Sequence, residues 1–262
     1  MTTEVARVMS GMNAYQRLDG LFVVVEGADG SGKTAIVNAV VDQLRARGTA
    51  ARRVERSQPY GEPEYVRLVE AVDGIFRSGD QLFRTGDDTL SGYDLLSLAA
   101  AAQYLALVYG QVLPIARSGG IAIAESWWSK TWARLSVEVG RCFNLTSEDL
   151  SAFTAWQRGL LPEPVLPAAN LLTVLIDVPE SDRARWHEVD GMHQRVFGED
   201  GASTTEPAAF GRFTSEIASI LRTRAAQEGW PVVANGSHRS VDDVAWEVIA
   251  LIEAPRGKGS DD

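Results

Sequence analysis

The sequence predicts an α/β protein with a parallel β-sheet and helices on both faces. Short apolar runs alternate with segments whose apolar residues recur at helical spacing. The clearest apolar runs, 21–25 and 171–178, read as buried parallel strands. No internal repeat or low-complexity linker interrupts the alternation, so we expect one domain over 19–254. Residues 1–18 are then an N-terminal extension and 255–262 a flexible tail.

The elements follow in order along the chain. Gly119 and Gly120 end the long apolar helix, because glycine is common just past a helix C-terminus. A polar segment over 180–203, rich in Arg, His and Asp, suits a lid over phosphates. The five expected strands are 21–25, 50–55, 121–125, 171–178 and 230–234, and the expected helices are 35–44, 63–76, 93–117 and 240–252.

The most specific motif lies between the first strand and the first helix. Residues 27–34 match G-x-x-x-x-G-K-[ST], a loop whose backbone N–H groups and following helix N-terminus bind phosphate. In that motif Lys33 reaches the β- and γ-phosphates of ATP, and the Thr34 hydroxyl holds Mg²⁺. The motif predicts a P-loop NTPase-type three-layer sandwich with a five-stranded parallel sheet. Its nucleotide-binding residues are Gly27, Asp29, Gly30, Ser31, Gly32, Lys33 and Thr34.

Amino-acid composition limits the classes of partner that we expect this protein to bind. The 262 residues carry a net charge of −10, which argues against extended binding to nucleic acid. The single cysteine, Cys142, rules out an internal disulfide, and we expect a reduced, cytoplasmic compartment. No apolar run approaches membrane-spanning length, so no membrane partner is expected.

Residues 22–34 resemble the opening of thymidylate kinases, where a strand runs into E-G-x-D-G-x-G-K-[ST]. Elsewhere the match is weaker, although the resemblance covers roughly residues 20–253. Four more segments are similar to family motifs: 55–61 to E-R-S-T-x-x-G, 114–127 to P-x-L-x-x-G leading to D-R, 176–180 to L-D-V-x-P-E, and 232–237 to the loop that flanks adenine.

The resemblance implies MgATP as phosphoryl donor and a nucleoside monophosphate as acceptor. Asp29 then binds the ribose side of the acceptor, and Arg56 holds its phosphate, a role that suits a planar bidentate donor. Asn235 lies in the loop beside the adenine. Family members are homodimers joined through helices next to the sheet, which here implies the apolar helix over 93–112.

The resemblance also implies an arginine from the lid. The phosphate loop has Gly30 where one branch of the family carries an arginine, and in the branch with glycine the lid supplies the charge. Arg183, Arg185 and Arg195 are the candidates, because phosphoryl transfer depends on charge stabilisation.

Two departures from the family concern the acceptor side. The D-R pair after the third strand reads Glu125-Ser126, so a carboxylate for water-mediated Mg²⁺ binding is kept and the arginine is lost. Ser97 stands where the family has the phenylalanine that stacks on thymine, and no basic residue occurs over 85–116. Each lost charged hydrogen bond costs about 1.5–3 kcal/mol, which weighs against the usual thymidylate pose.

The replacement segment has its own chemistry. Residues 127–132 contain three tryptophans and Lys130, one of three lysines in the chain, just past the third strand. Ligands of α/β sheets bind at such strand ends. Lys130 and Arg134 are four residues apart and lie near one helix face, where they restore positive charge, and Trp127 offers a stacking surface. Core or interface packing is the alternative interpretation of the tryptophans.

Three functions stay open at this point. The first is a divergent thymidylate kinase-like enzyme with an altered acceptor. The second is a kinase of a nucleoside or other hydroxyl acceptor, for which Glu55, at the end of the second strand, is the base. The third is a catalytically degenerate protein that binds nucleotide and regulates a partner.

Overall fold

A five-stranded, all-parallel sheet forms the centre of the protein. The computed structural model describes residues 18–83, 90–143, 145–161, 166–183, 196–199 and 203–254. The strands of this sheet are β1 (Leu21–Glu26), β2 (Ala51–Arg53), β3 (Ile121–Glu125), β4 (Leu171–Asp177) and β7 (Val232–Ala234), and a separate two-stranded sheet contains β5 (Val196–Phe197) and β6 (Ser203–Thr204). Strand order in the five-stranded sheet is β2-β3-β1-β4-β7, so β1 lies between β3 and β4. All five strands predicted from sequence are confirmed.

Helices cover both faces of this sheet. A π-helical turn (Val108–Val112) joins the third helix to the fourth. Alternate residues of β1 point to opposite faces: Val23 packs with the first and last helices, and Phe22 with the others. This is the predicted three-layer arrangement. The helices are α1 (Lys33–Ala46), α2 (Pro63–Phe83), α3 (Leu90–Leu107), α4 (Leu113–Arg117), α5 (Trp128–Phe143), α6 (Ser147–Leu160), α7 (Pro207–Glu228) and α8 (Val241–Glu253).

Three helices differ from the expectation. Helix α6 was not predicted from sequence. Helix α2 runs to Phe83 and not to residue 76. Helix α7 was not expected, although its buried residues Phe210, Phe213, Ile217 and Leu221 recur at three- and four-residue spacing. That spacing is an amphipathic helix signal.

The apolar segment Gly92–Arg117 corrects one expectation. It is 26 residues long, and its most apolar 18-residue window has a mean hydropathy of 1.4, so by length and composition alone it could cross a membrane. However, 67% of its most apolar window is buried inside the protein, and Tyr104, Leu107 and Val112 belong to the main core. The segment therefore packs as a core helix.

Part of the expected lid is described. Strands β5 and β6 pair antiparallel, and Val196 of β5 is buried in the main core. The rest of the lid at 184–195 and 200–202, including Arg185 and Arg195, lies outside the described residues, as do residues 1–17 and 255–262. Leu18, the first described residue, is buried.

Trp128 tests the packing of the main core. Its side chain is fully buried, so Trp128→Ala should lower the free energy of unfolding by about 3–5 kcal/mol in urea titrations. Trp156 is 38% exposed and serves as the matched control, for which Trp156→Ala should cost less than about 1 kcal/mol. Equal losses for the two variants would contradict the core described above.

Candidate active site

The phosphate-binding loop joins β1 to α1 with two glycines at positions that exclude a side chain. Gly32, which caps α1, has φ +77°, and a Cβ there would lie 2.9 Å from the Asn235 Nδ2. A Cβ at Gly27 would lie 2.8 Å from the carbonyl oxygen of Ile176. No side chain caps the N-terminus of α1, so its first N–H groups suit a phosphate.

Lys33 lies buried in the loop, where its ammonium donates to the Ala28 carbonyl oxygen at 2.6 Å and to the Ser31 hydroxyl at 3.0 Å. Burial, followed by repulsion from Lys130, lowers the pKa of Lys33 to about 7, although nearby carboxylates oppose the shift. A bound phosphate would favour the charged ammonium.

The two predicted Mg²⁺ ligands are brought together. The Thr34 hydroxyl donates to Glu125 Oε1 at 2.6 Å, and Arg53 Nη2 donates to Glu125 Oε2 at 2.8 Å. A hydroxyl and a carboxylate fit Mg²⁺, which binds few protein oxygens and keeps phosphate and water ligands. The described segments contain no cluster of three or more His, Cys, Asp or Glu that would hold a metal alone.

Arg53 was not recognised as a site residue from sequence. It pairs in register with Ile123, two residues before Glu125. Residues two apart on a strand point to the same face, so Arg53 and Glu125 share a face of the sheet. The register of β2 against β3 is the signal that identifies this contact.

A charged cluster lies beside the loop. Asp29 forms an ion pair with Lys130 of α5, and both side chains are largely buried. Although burial raises the pKa of Asp29, Lys130 and Lys33 hold that pKa well below its usual range. Glu26, fully buried, accepts from the backbone N–H of Trp127 at 3.0 Å, and burial raises its pKa.

Arg56, the residue expected to hold the acceptor phosphate, lies beside α3 and close to α5. Its Nη1 donates to the Tyr104 hydroxyl at 3.4 Å, and Tyr104 is hydrogen-bonded to Thr131 of α5 at 2.6 Å. Arg134, one turn beyond Lys130, donates to Glu138 at 3.0 Å and lies near enough to Asp29 to lower its pKa. Positive charge therefore reaches the predicted acceptor side from the loop after β2 and from α5.

The tryptophans after β3 lie in the core. Trp127, Trp128 and Trp132 are 6%, 0% and 5% exposed, and Trp127 packs between Phe22 and Tyr104 at ring distances of 5.0 and 4.5 Å. Acceptor stacking on Trp127 stays a prediction that this packing does not favour.

Two serines stand at the departures from the family pattern. Ser97 is fully buried and hydrogen-bonded to Tyr93 and Gln157, so it presents no stacking surface. Ser126 has φ +58°, a left-handed conformation that is uncommon outside glycine and is found at functional sites.

Arg183 and Asn235 both reach the phosphate loop. Asn235 Nδ2 donates to the Ser31 carbonyl oxygen at 3.0 Å. Arg183 is buried, donates to Ser215 at 3.0 Å, and lines one crevice with Ala28 and Ser31. Of the three candidate lid arginines, Arg183 is the one that lies within the described residues.

The lowered pKa of Lys33 generates a prediction on pH. Above pH 7 the free protein loses the Lys33 proton, and binding of a nucleotide must restore it, so affinity falls as pH rises. We expect ADP affinity, measured by calorimetry, to fall roughly tenfold or more from pH 7.5 to 9. The nucleotide phosphates are already ionised over this pH range, so their own titration does not contribute to the fall. Lys33→Met should bind weakly with a flat profile. A flat wild-type profile would contradict the prediction.

Comparison with known proteins agrees with this geometry. No family model matches the chain. It is 25% identical over 241 residues to a thymidylate kinase of Thiobacillus denitrificans, which covers 90% of this chain and 98% of that protein. Identity to a thymidylate kinase of Cupriavidus necator is 27% over 234 residues, with 89% and 98% coverage. One of Chlamydia caviae is 26% identical over 167 residues, with 63% and 69% coverage. Together with the parallel sheet and its phosphate loop, these similarities over most of the chain support a divergent thymidylate kinase-like protein.

Proposed function

We propose that this protein transfers the γ-phosphoryl group of MgATP to a nucleoside monophosphate that it binds differently from thymidylate. The names of the relatives support thymidylate kinase-type nucleotide phosphotransfer at family level. The observation that carries the altered acceptor is the Lys130–Asp29 ion pair beside the phosphate loop. It supplies a cation near the position where Ser126 replaces the family's arginine.

The donor side rests on the loop and on Glu125. Backbone N–H groups at the start of α1 and the Lys33 ammonium bind the β- and γ-phosphates of ATP. Thr34 and Glu125 hold Mg²⁺, which neutralises charge on those phosphates when it is bound. Asn235 keeps the loop in place through its hydrogen bond to Ser31 and lies beside the adenine.

The acceptor side rests on Arg56 and Lys130. Both are within the described part of the site, and each offers N–H donors to an acceptor phosphate. Arg134 adds positive potential from the next turn of α5. Arg183, Arg185 and Arg195 remain the candidates for the arginine that stabilises the transition state.

The reaction needs no general base, because an acceptor phosphate oxygen is already ionised at neutral pH. That oxygen attacks the γ-phosphorus in line with the bond to the β-bridging oxygen. A new P–O bond forms, the bridging bond breaks, and its electron pair leaves on ADP. Lys33, Lys130 and Arg56 reduce the repulsion between the two phosphate groups, and this neutralisation accounts for catalysis in our proposal.

ADP release from MgATP against a panel of nucleoside monophosphates and nucleosides tests the proposal, with Lys33→Ala as the blank. We expect turnover with one monophosphate other than dTMP. Lys130→Ala should lower kcat/KM for it by about 10- to 150-fold, the value of one charged hydrogen bond. Arg141→Ala is the matched control, because Arg141 is an ion-paired cation of the same helix.

Other outcomes would support other functions. Phosphorylation of dTMP at ordinary kinase rates, unaffected in Lys130→Ala, would overturn the altered acceptor. Loss of activity in Glu55→Gln together with an unphosphorylated acceptor would indicate a hydroxyl kinase. ATP binding without transfer to any acceptor would indicate a regulatory nucleotide-binding protein.

The expected homodimer has a candidate surface on α3 and the π-helical turn that follows it. Leu95, Leu98 and Tyr109 are 62%, 48% and 44% exposed, and they recur with Leu105 at three-, seven- and four-residue spacing along one helix face. Leu68 and Ile75 of the neighbouring α2 are exposed too. A second copy of the chain offers the same apolar stripe, as a two-fold interface requires.

Leu98→Glu tests this surface. A charge at its centre should shift sedimentation equilibrium from dimer toward monomer, because an unpaired carboxylate would be desolvated in the interface. Val241→Glu, at an exposed apolar position in the first turn of α8, should leave the mass unchanged. A monomeric wild type, or equal masses for wild type and Leu98→Glu, would contradict the proposal.

A further inference from the structure

We infer that Gln111, on the π-helical turn between α3 and α4, is a positioning residue that fixes the acceptor-binding loop. The inference rests on the proposed function, because it assigns Gln111 a role in acceptor binding through Arg56. Gln111 lies outside every motif shared with thymidylate kinases in the sequence.

The amide of Gln111 pairs with both polar groups of one backbone residue. Its Oε1 accepts from the N–H of Glu55 at 2.9 Å, and its Nε2 donates to the carbonyl oxygen of Glu55, also at 2.9 Å. Gln111 is 1% exposed. Glu55 follows the last sheet contact of this strand, from the Val54 N–H to the Ile123 carbonyl oxygen at 2.8 Å. Gln111 therefore supplies the hydrogen bonds to the backbone at the point where the hydrogen bonds of the sheet end.

The same turn also holds the far end of the loop. Gly61 has φ +111°, and a Cβ there would lie 2.4 Å from the carbonyl oxygen of Gly110. Only glycine permits that approach of two backbones. Residues 55 and 61 are thus both seated on Gly110-Gln111, and Arg56 lies between them, with its guanidinium on the Tyr104 hydroxyl.

Pro114 gives the physical reason for the π-helical turn. In an α-helix the N–H of residue 114 would bond to the carbonyl oxygen of Gly110, but proline has no N–H and its ring clashes with that carbonyl. The helix widens over Val108–Val112 instead. Such turns are frequent at functional sites, and here the widened turn carries both loop contacts.

Gln111 should affect the acceptor and not the donor. Both amide groups of Gln111 bond to Glu55, and the phosphate loop is held by other residues, among them Asn235. Loss of the two hydrogen bonds between Gln111 and Glu55 would let the loop over 55–61 move. The Arg56 guanidinium would then be displaced from the acceptor phosphate. Misplacement of a binding group by about 1 Å is enough to cost up to 10²-fold.

Gln111→Leu, which removes both hydrogen bonds at similar volume, tests the inference. Gln103→Leu is the matched control: Gln103 is buried in α3 and donates to the Val69 carbonyl oxygen at 3.4 Å. In Gln111→Leu we expect faster hydrogen exchange over 55–61, KM for the acceptor raised about tenfold or more, and Kd for ATP within twofold of wild type.

The two proposals fail separately. Wild-type protein without transfer to any acceptor would refute the proposed function. Hydrogen exchange over 55–61 would still test whether Gln111 fixes this loop. Unchanged exchange over 55–61 in Gln111→Leu would overturn the inference. So would a parallel loss of ATP and acceptor affinity, or an equal effect of Gln103→Leu, since either would indicate general loosening of the fold.

Discussion

The ion pair between Asp29 and Lys130 is the interaction on which the candidate acceptor site depends. It joins the phosphate loop to the start of α5, 101 residues further along the chain. Partly buried charges are costly unless they are paired, so each partner fixes the position of the other. The pair places a second lysine next to Lys33, at the junction where a donor and an acceptor phosphate would meet. Among the described residues, Asp29 is the ion-pair partner of Lys130, so loss of Asp29 would leave Lys130 without an ion pair to hold it there.

The electrostatics of the site suit an anionic ligand. Two lysines repel each other across the loop, which contributes to the low pKa of Lys33, and Asp29, Glu125 and Glu26 partly offset this repulsion. Phosphate groups would add the negative charge that two close ammonium groups favour. Arg53 extends the network by holding one oxygen of Glu125 while Thr34 holds the other. In the proposed transfer these groups would be oriented before the reaction, which is the condition for electrostatic catalysis.

Local sequence patterns predicted the sheet and the phosphate loop, but they did not predict contacts between residues far apart in the chain. The strands followed from apolar runs, and the loop from its glycines: Gly27 lies against the carbonyl oxygen of Ile176, and Gly32 has a positive φ. The partners of Asp29 and Glu125 depend on how β3, α5 and β2 pack, which no single segment encodes. Trp127 was assigned to the acceptor because tryptophan serves both cores and ligands, and its packing between Phe22 and Tyr104 decides for the core. The π-helical turn, by contrast, has a local cause in Pro114.

A double-mutant cycle on the Asp29–Lys130 pair tests the central claim most directly. Transfer to the acceptor and ATP affinity would be measured for Asp29→Asn, Lys130→Met and the double variant. If Asp29 acts by holding Lys130, Asp29→Asn should lower transfer about tenfold or more in the wild type and less than twofold when Lys130 is already methionine. ATP affinity should change little in all three. Single losses that multiply in the double variant would show that the two residues act independently, and would contradict the pair as the basis of the acceptor site.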